Sequence, residues 1–160
     1  MIILGVDPAL AITGYGVIGA GKGPLVLHEA GIIQTSVKED VSRRLYKIYL
    51  GVTKLIEDTK PDCMVLEKIY SHYRHPATSY ILGQARGVIC LAAASKKINF
   101  FEYSATRIKK AIVGKGLASK SQVQNMVASV LGLKVLPRYM DVTDALALAI
   151  AHSSIIKSRL

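Results

Sequence analysis

Apolar and polar positions in the first 35 residues follow the pattern of β-strands. Three runs rich in Ile, Val and Leu are broken by short glycine-containing or polar turns, and they cover Ile2–Asp7, Thr13–Ala20 and Leu25–Thr35. The turn Gly21-Lys22-Gly23-Pro24 separates the second run from the third. Because the connections are short, this pattern predicts three strands joined as antiparallel hairpins.

The period changes to that of helices further along the chain. From about Asp40, apolar residues fall on one stripe and cations elsewhere, which predicts an amphipathic helix ended by Pro61. The later segments predict a buried strand Cys63–Glu67, a polar loop Ser71–Pro76, a helix Ala77–Ser95, a strand Ile98–Tyr103, and helices Ala105–Val113, Lys120–Leu131 and Asp141–Lys157. Gly114 and Gly132 are expected to end the two middle helices.

This order of elements predicts the fold class. Three strands followed by alternating helices and strands indicate an α/β protein with a five-stranded mixed sheet flanked by helices. A chain of 160 residues has room for one core, and no repeat or linker interrupts the pattern. We therefore expect a single domain over residues 1–160.

Composition and charge narrow the class of partner. Hydrophobic residues make up 51% of the chain and charged residues 20%, which is a globular balance, and the net charge is +10. This charge predicts an anionic partner, and nucleic acid is favoured over a membrane because the cations are spread over several segments. The pattern shows neither a signal peptide nor a membrane span, so we expect a cytoplasmic protein with reduced, buried thiols at Cys63 and Cys90.

Four acids stand out in a chain that has only 11 acidic residues against 21 basic ones. Asp7 and Glu67 each end an apolar strand, and Asp141 and Asp144 lie three residues apart at the start of the last helix. If the two strands are neighbours, both carboxylates reach the same sheet edge, where ligand sites of such folds lie. Carboxylates ligate hard divalent cations, so the four acids predict a metal site for phosphodiester chemistry.

Ordinary structural roles compete with this interpretation for some of the acids. Asp141 and Asp144 would also suit the first turn of any helix, where acids complement the helix dipole. Asp7 and Glu67 are harder to place that way, because an acid at the end of a buried strand needs solvent, a partner or a cation.

Two other site types share parts of these motifs. Asp7 with Thr13-Gly14-Tyr15-Gly16 also fits the phosphate-binding hairpin of actin-like kinases and ATPases, although those proteins enclose the nucleotide between two related domains. His72 and His75 have the H-x-x-H spacing of a zinc site, with the two cysteines as conceivable further ligands. Zinc is disfavoured because both cysteines lie inside apolar elements.

Two basic segments are candidates for nucleic-acid contact, although either would also suit a solvated surface. The loop after the fourth strand mixes aromatic and cationic side chains, which suits phosphate contact and stacking on an unpaired base: Tyr70, His72, Tyr73, Arg74 and His75. The second segment combines flexible glycines with lysines before a helix N-terminus: Lys109, Lys110, Lys115 and Lys120.

Several motifs then occur in a fixed order along essentially the whole chain. They are Gly5-Val6-Asp7-Pro8 with Thr13-Gly14-Tyr15-Gly16, then Leu66-Glu67, Gly83-Gln84-Ala85-Arg86-Gly87, Lys120-Ser121-Gln122-Val123-Gln124 and Asp141-Val142-Thr143-Asp144-Ala145-Leu146-Ala147. In this order they resemble the RuvC family of crossover junction endodeoxyribonucleases. One departure is Ala9, where the family pattern usually has Gly, and a positive φ would strain an alanine there.

The resemblance implies an RNase H-like fold and a bacterial homodimer that resolves Holliday junctions by paired, Mg²⁺-dependent incision during DNA recombination and repair. It implies that Asp7, Glu67, Asp141 and Asp144 are the catalytic acids. It places Tyr70 at opened junction bases and gives Lys109 and Lys120 a role on DNA. The implied substrate is four-way junction DNA and the implied setting is the bacterial nucleoid, while direct contact with the RuvAB branch-migration complex is left open.

The expected mechanism is two-metal phosphodiester hydrolysis. Asp7, on a central strand, is expected to bridge two Mg²⁺ ions whose shells the other three acids complete, and Mn²⁺ is expected to substitute. One ion would lower the pKa of the attacking water and the other would stabilise the leaving 3′ oxygen, so neither a covalent intermediate nor a nucleotide cofactor is needed. The resemblance implies 5′-phosphate and 3′-hydroxyl products. A non-cleaving nucleic-acid-binding module and an RNase H-like nuclease on RNA–DNA hybrids remain alternatives.

Symmetric resolution of a junction needs two sites related by a twofold axis, so a C₂ homodimer is expected. The candidate contact is the apolar face of the Ala77–Ser95 helix, unless that face packs on the domain's own sheet: Ile81, Leu82, Val88, Ile89 and Ala92.

Overall fold

Five strands form one mixed sheet in the computed structural model, which describes residues 1–68 and 76–158. In chain order the strands are β1 (Ile2–Asp7), β2 (Ile12–Gly19), β3 (Val26–Gln34), β4 (Cys63–Glu67) and β5 (Asn99–Tyr103). Their order across the sheet is β3-β2-β1-β4-β5. The β1–β2 and β2–β3 pairs are antiparallel, whereas β1–β4 and β4–β5 are parallel. The predicted hairpins are therefore confirmed, and the first and fourth strands are neighbours in the sheet.

Helices cover both faces of the sheet. They are α1 (Val41–Thr59), α2 (Pro76–Ser95), α3 (Ala105–Val113), α4 (Lys120–Leu131) and α5 (Met140–Lys157). Gly114 and Gly132 end α3 and α4 with left-handed φ values of 80° and 63°, as predicted. Helix α1 ends at Thr59, two residues before Pro61, because Lys60 adopts the left-handed cap and its backbone N–H donates to the Ile56 carbonyl.

The sheet separates two hydrophobic cores because successive side chains of a strand point to opposite faces. On one face, Leu4 and Val6 of β1 pack with α1 and α2. On the other face, Ile3 of β1 packs with Cys63 and Val65 of β4 and with α3, α4 and α5. Helix α5 is buried along most of its length, so it forms the centre of this second core.

Glycines let α5 lie directly on the β1–β2 hairpin. A Cβ atom at Gly5 would be 2.0 Å from the Ala145 carbonyl oxygen, and one at Gly16 would be 2.4 Å from the Leu146 side chain. Neither position tolerates a side chain while the helix stays in place. The glycine-rich hairpin therefore serves helix packing, which removes the sequence argument for a nucleotide-phosphate hairpin.

The turn after β1 accommodates Ala9 without strain. Among the described residues other than glycine, positive φ occurs at Lys60 and Lys97 and not at Ala9. The Thr13 hydroxyl donates to the Ala9 carbonyl at 2.7 Å and accepts from the Ala9 backbone N–H at 3.4 Å, which fixes the turn. The departure from the family's usual glycine thus leaves the local backbone intact.

The prediction that the apolar face of α2 forms a dimer contact is partly wrong. Ile89 and Ala92 are fully buried in this chain's own core, against α1 and the sheet. Ile81 is exposed, while Leu82 and Val88 are half-buried. Helix α2 is apolar on nearly every side, so its sequence pattern does not separate the inner face from the outer one.

Candidate active site

The β1 and β4 strands aim their terminal acids at the α5 side of the sheet. Ile3 and Gly5 of β1 face α5, and Asp7 is the next residue of the same parity. On β4, Cys63 and Val65 face the same core, and Glu67 continues that face. Because β1 and β4 are parallel and pair Gly5 with Val65, their last acids emerge side by side at one edge.

Helix α5 brings the second pair of acids to the same edge. Its first turn packs on β2, where Gly14 pairs with Asp7, and the Asp141 backbone lies directly against Gly14. Asp141 and Asp144 are three residues apart and so share one face of the helix. The sheet and α5 thus bring acids from parts of the chain that are far apart in sequence to the same edge of the sheet.

Two cavities, each of about 250 Å³, lie on either side of this cluster. Asp7, Glu67 and Asp144 line both of them, together with Lys120. The first cavity is completed by Lys109 and by an apolar wall of Ala105, Ile108, Val123, Ala147 and Leu148. The second is completed by Pro8, Lys68, Leu82 and Arg86.

Electrostatic coupling joins all four acids. Burial, followed by the charges of Asp144, Asp141 and Glu67, raises the pKa of Asp7 from 3.8 to about 7. Burial and the charge of Asp144 raise the pKa of Glu67. Burial also raises the pKa of Asp144, and the charge of Asp141 adds to this effect. The nearby positive charges of Lys120, Lys109 and Arg86 offset only part of this burial and repulsion.

The donor set fits a hard divalent cation. Among the described residues that line the two cavities there is no histidine or cysteine, so carboxylate oxygens are the charged ligands that these residues offer, as Mg²⁺ prefers. In the part of the chain that the structure describes, no three acidic, histidine or cysteine side chains converge tightly enough to hold one ion as they stand. Carboxylates that repel one another spread apart unless a cation draws them together. The case for a divalent cation at these acids therefore rests on their oxygen ligands and on the electrostatic coupling between them.

Two of the predicted lysines belong to this site. Lys120 is the first residue of α4, and its charge opposes the rise in the pKa of Asp7, Glu67 and Asp144. Lys109 of α3 does the same for Glu67. Lys115 is exposed in the α3–α4 connection and lines neither cavity. Tyr70 and Arg74 lie outside the described residues.

The zinc interpretation gains no support from the cysteines. Cys63 is buried with its Sγ atom 3.5 Å from His152 Nε2, while the Tyr103 hydroxyl lies 2.9 Å from His152 Nδ1. Burial raises the pKa of the Cys63 thiol to about 11, so this sulfur stays protonated. Both cysteines are free, as expected, although Cys90 is only partly buried. His72 and His75 lie outside the described residues.

Arg86 is the residue of the site whose role the sequence pattern did not indicate. Its Nη1 atom donates to the Glu67 carbonyl oxygen at 2.7 Å, and its Nη2 atom pairs with the Glu102 carboxylate on β5. The available signal was that Arg86 is the one charged residue in the sequence of α2. Its partners lie 19 and 16 residues away, beyond the reach of any helix or strand periodicity.

Comparison with known proteins identifies the family. The family model described as crossover junction endodeoxyribonuclease RuvC matches residues 3–152. The chain belongs to the RuvC family. A RuvC crossover junction endodeoxyribonuclease of Moorella thermoacetica is 44% identical over 154 residues, which cover 96% of this chain and 92% of the relative.

Solved structures agree with this assignment. A Thermus thermophilus RuvC structure superimposes with a TM-score of 0.91 at 30% identity, over 99% of this chain and 97% of the other. A Thermus thermophilus RuvC in complex with Holliday junction substrate gives a TM-score of 0.93 at 29% identity, over 99% and 96% of the two chains. The predicted RuvC family and RNase H-like fold are confirmed.

RuvC family membership also decides the predicted class of enzyme. It makes this chain an endonuclease of the crossover junction class, a divalent-metal-dependent nuclease family of DNA recombination and repair, rather than a non-cleaving module. Among the described residues, no helix is both long and apolar enough to cross a membrane.

Proposed function

We propose that this chain resolves Holliday junctions by paired, symmetric hydrolysis of phosphodiester bonds, with Asp7, Glu67, Asp141 and Asp144 as the metal-binding catalytic acids. The observation that carries the proposal is the coupling of three acids to Asp7, whose pKa rises to about 7. A divalent cation would supply the missing positive charge. The similarity to a RuvC solved with Holliday junction substrate supports the choice of DNA.

Asp7 occupies the central position among the four acids. It lies on the central strand, and it is the acid whose pKa all three others raise. We therefore assign Asp7 as the bridging ligand, with Glu67, Asp141 and Asp144 completing the coordination. When bound, two Mg²⁺ ions, or Mn²⁺ in their place, would supply an ionised water at neutral pH and stabilise the charge on the leaving 3′ oxygen.

Lys109 and Lys120 are proposed to hold the DNA backbone at the acids. Both line the first cavity together with Asp7 and Glu67, so a phosphate in this cavity would lie near both ammonium groups. Lys120 is also the first residue of α4, where Ser119 and Gln122 form a capping box and the helix dipole favours an anion. Lys115, Tyr70 and Arg74 stay predictions for DNA contact, with Tyr70 placed at unpaired junction bases.

The proposed homodimer uses the outer face of α2. Tyr80 and Leu91 are 69% and 58% exposed on this helix, although both are large and apolar or aromatic. A Cβ atom at Gly83 or Gly87 would meet nothing within 4 Å among the described residues, which therefore give no packing reason for either glycine. Helical glycine costs about 1 kcal/mol relative to alanine, and close approach of a second helix would offset that cost.

A twofold axis through the α2 face would relate two acid clusters, one for each incision. Residues 1–160 would then act as one nuclease domain per subunit, in the bacterial cytoplasm and at the nucleoid. Direct contact with the RuvAB branch-migration complex stays a prediction from the family resemblance.

Cleavage assays on three substrates test the proposed function. The protein is incubated with an end-labelled four-way junction, a duplex of the same sequence and an RNA–DNA hybrid, each with Mg²⁺ and with EDTA. We expect paired incisions in two strands of like polarity on the junction alone, and only with Mg²⁺. Preferred cleavage of the hybrid would favour an RNase H-type nuclease, and binding without cleavage would favour a non-cleaving module.

A further inference from the structure

Arg86 connects α2 to the two strands that end beside the acids. Its side chain is only 12% exposed, and its two terminal nitrogens bind different strands. Nη1 donates to the backbone carbonyl of Glu67 on β4, and Nη2 forms an ion pair with the Glu102 carboxylate on β5. A single planar side chain therefore fixes β4 and β5 relative to the helix.

The Glu67 contact is made to the backbone of a proposed metal ligand. The Glu67 side chain reaches solvent at the end of β4, so packing alone does not fix its direction, although its carboxylate is partly desolvated beside the other acids. The direction of its Cα–Cβ bond depends instead on the backbone at the end of β4. Arg86 holds that backbone through the carbonyl at 2.7 Å, while the Lys68 N–H donates to the Tyr103 carbonyl at 2.8 Å just beyond it.

We propose that Arg86 is a positioning residue, which orients Glu67 toward Asp7 and Asp144 so that the acids can share a divalent cation. This inference rests on the proposed metal role of the four acids. Groups that orient metal ligands from outside the coordination shell change metal affinity or activity by about 10–100-fold when they are removed. Glu102 supports this role, because its carboxylate neutralises the Arg86 guanidinium and holds its Nη2 atom in place.

Lysine cannot replace arginine fully in this role. An ammonium group is a point charge without the planar fork that reaches a carbonyl and a carboxylate at once. Arg86→Lys should therefore keep the ion pair with Glu102 and lose part of the hold on Glu67. A residue that only supplied positive charge to the site would be replaced by lysine without loss.

The test measures metal binding directly as well as cleavage. Mn²⁺ binding to the DNA-free protein is titrated by electron paramagnetic resonance for wild type, Arg86→Ala, Arg86→Lys and Glu102→Gln. Junction cleavage is followed against Mg²⁺ concentration, and thermal unfolding is recorded for each variant. The matched control is Lys96→Ala, which removes an ion pair with Glu57 between the end of α2 and α1, on the same sheet face but with no contact to the acids.

We expect Arg86→Ala to weaken Mn²⁺ binding, and to raise the Mg²⁺ concentration for half-maximal cleavage, by about 10–100-fold. KM for the junction should be unchanged, and high Mg²⁺ should restore much of kcat. Arg86→Lys should recover only part of the metal affinity, Glu102→Gln should shift in the same direction by less, and Lys96→Ala should match wild type.

Each contrary outcome has its own meaning. If wild type binds Mn²⁺ and Arg86→Ala binds it equally well, the positioning role is overturned while the proposed metal site stands. A raised KM with unchanged Mn²⁺ affinity would make Arg86 a DNA contact and would also overturn it. If wild type binds no Mn²⁺, the proposed metal site fails first. If Arg86→Ala does not fold, Glu102→Gln decides, because it keeps the side-chain size at a position that is 39% exposed.

Discussion

Gly14 of β2 lies directly against Asp141, so that a Cβ atom at position 14 would be 2.1 Å from the Asp141 carbonyl oxygen. Gly14 also pairs with Asp7 across the β1–β2 ladder. One glycine thus sets the distance between an acid of the sheet and the first turn of the acid-bearing helix. The site depends on this close approach of two backbones.

Gly14→Ala should force the first turn of α5 away from the sheet. Overpacking of this kind costs about 1–3 kcal/mol, and the displaced Asp141 should lower cleavage more than the lost stability alone explains. Urea unfolding measures the loss of stability. Junction cleavage, assayed under conditions in which the variant remains folded, measures the effect on activity. Gly21→Ala is the control, because a Cβ atom there meets nothing within 4 Å. Equal behaviour of the two variants would contradict the close-packing account.

Lys120→Ala should weaken junction binding by removing one phosphate contact. The slope of log affinity against log salt concentration should fall by about one unit, because one neutralised phosphate releases roughly one counterion. Fluorescence anisotropy with a labelled junction at several salt concentrations, in EDTA, measures this slope. Lys22→Ala is the matched control, since Lys22 is exposed in the β2–β3 turn at the opposite edge of the sheet. An unchanged slope for Lys120→Ala would show that this lysine makes no phosphate contact.

Leu91→Asp should convert the protein to monomers that remain folded. Leu91 is 58% exposed on α2, so a charge there disturbs little of the chain's own core. Light scattering should report half the wild-type mass, and junctions should be nicked without paired cuts. Val37→Asp serves as the control, because Val37 is 79% exposed in the segment before α1. A Leu91→Asp variant that remains dimeric would exclude this face as the contact.

Stability of the metal-free protein should fall as pH rises toward neutrality. The folded-state pKa of Asp7 is raised from 3.8 to about 7, mainly by burial, so the folded chain holds this proton more tightly than the unfolded chain does. Between these two pKa values each unit of pH therefore removes stability, by at most about 1.4 kcal/mol. Below the unfolded-state value the contribution is fully present, and it is lost once pH passes about 7.

Urea unfolding in EDTA at about pH 5 and about pH 8 measures this loss. Asp7→Asn should flatten the difference, because asparagine carries no titrating proton. Because Asp7 is about half protonated near pH 7, Mg²⁺ binding there should release about half a proton, which calorimetry in buffers of different ionisation enthalpy detects. Identical pH dependence in wild type and Asp7→Asn would show that Asp7 ionises normally.

The elements and the acids were predictable because the physics behind them is local. Strand alternation placed Asp7 and Glu67 at strand ends, and the parallel β1–β4 pairing then brought both to one edge. Glycine caps at Gly114 and Gly132 ended α3 and α4 where the pattern indicated. Such signals depend on residues within one turn or one strand of each other.

What the sequence could not supply depends on contacts between distant segments. The inner and outer faces of α2 look alike in sequence, so the pattern offers Ile89 as a candidate dimer contact although it is fully buried in the chain's own core. The glycines of the β1–β2 hairpin suggested a ligand, whereas they make room for α5. The contact between Arg86 and Glu67 joins a helix to a strand end, and it follows only from the three-dimensional arrangement.

The central claim is that Asp7 and its neighbouring acids cut junction DNA through bound divalent cations. Junction cleavage and junction affinity of Asp7→Asn, measured side by side with wild type in Mg²⁺, test it most directly. We predict that cleavage falls by at least about 100-fold because metal ligation is lost, while affinity stays the same or tightens because a negative charge near DNA is removed. Cleavage at the wild-type rate, or loss of binding together with cleavage, would contradict the claim.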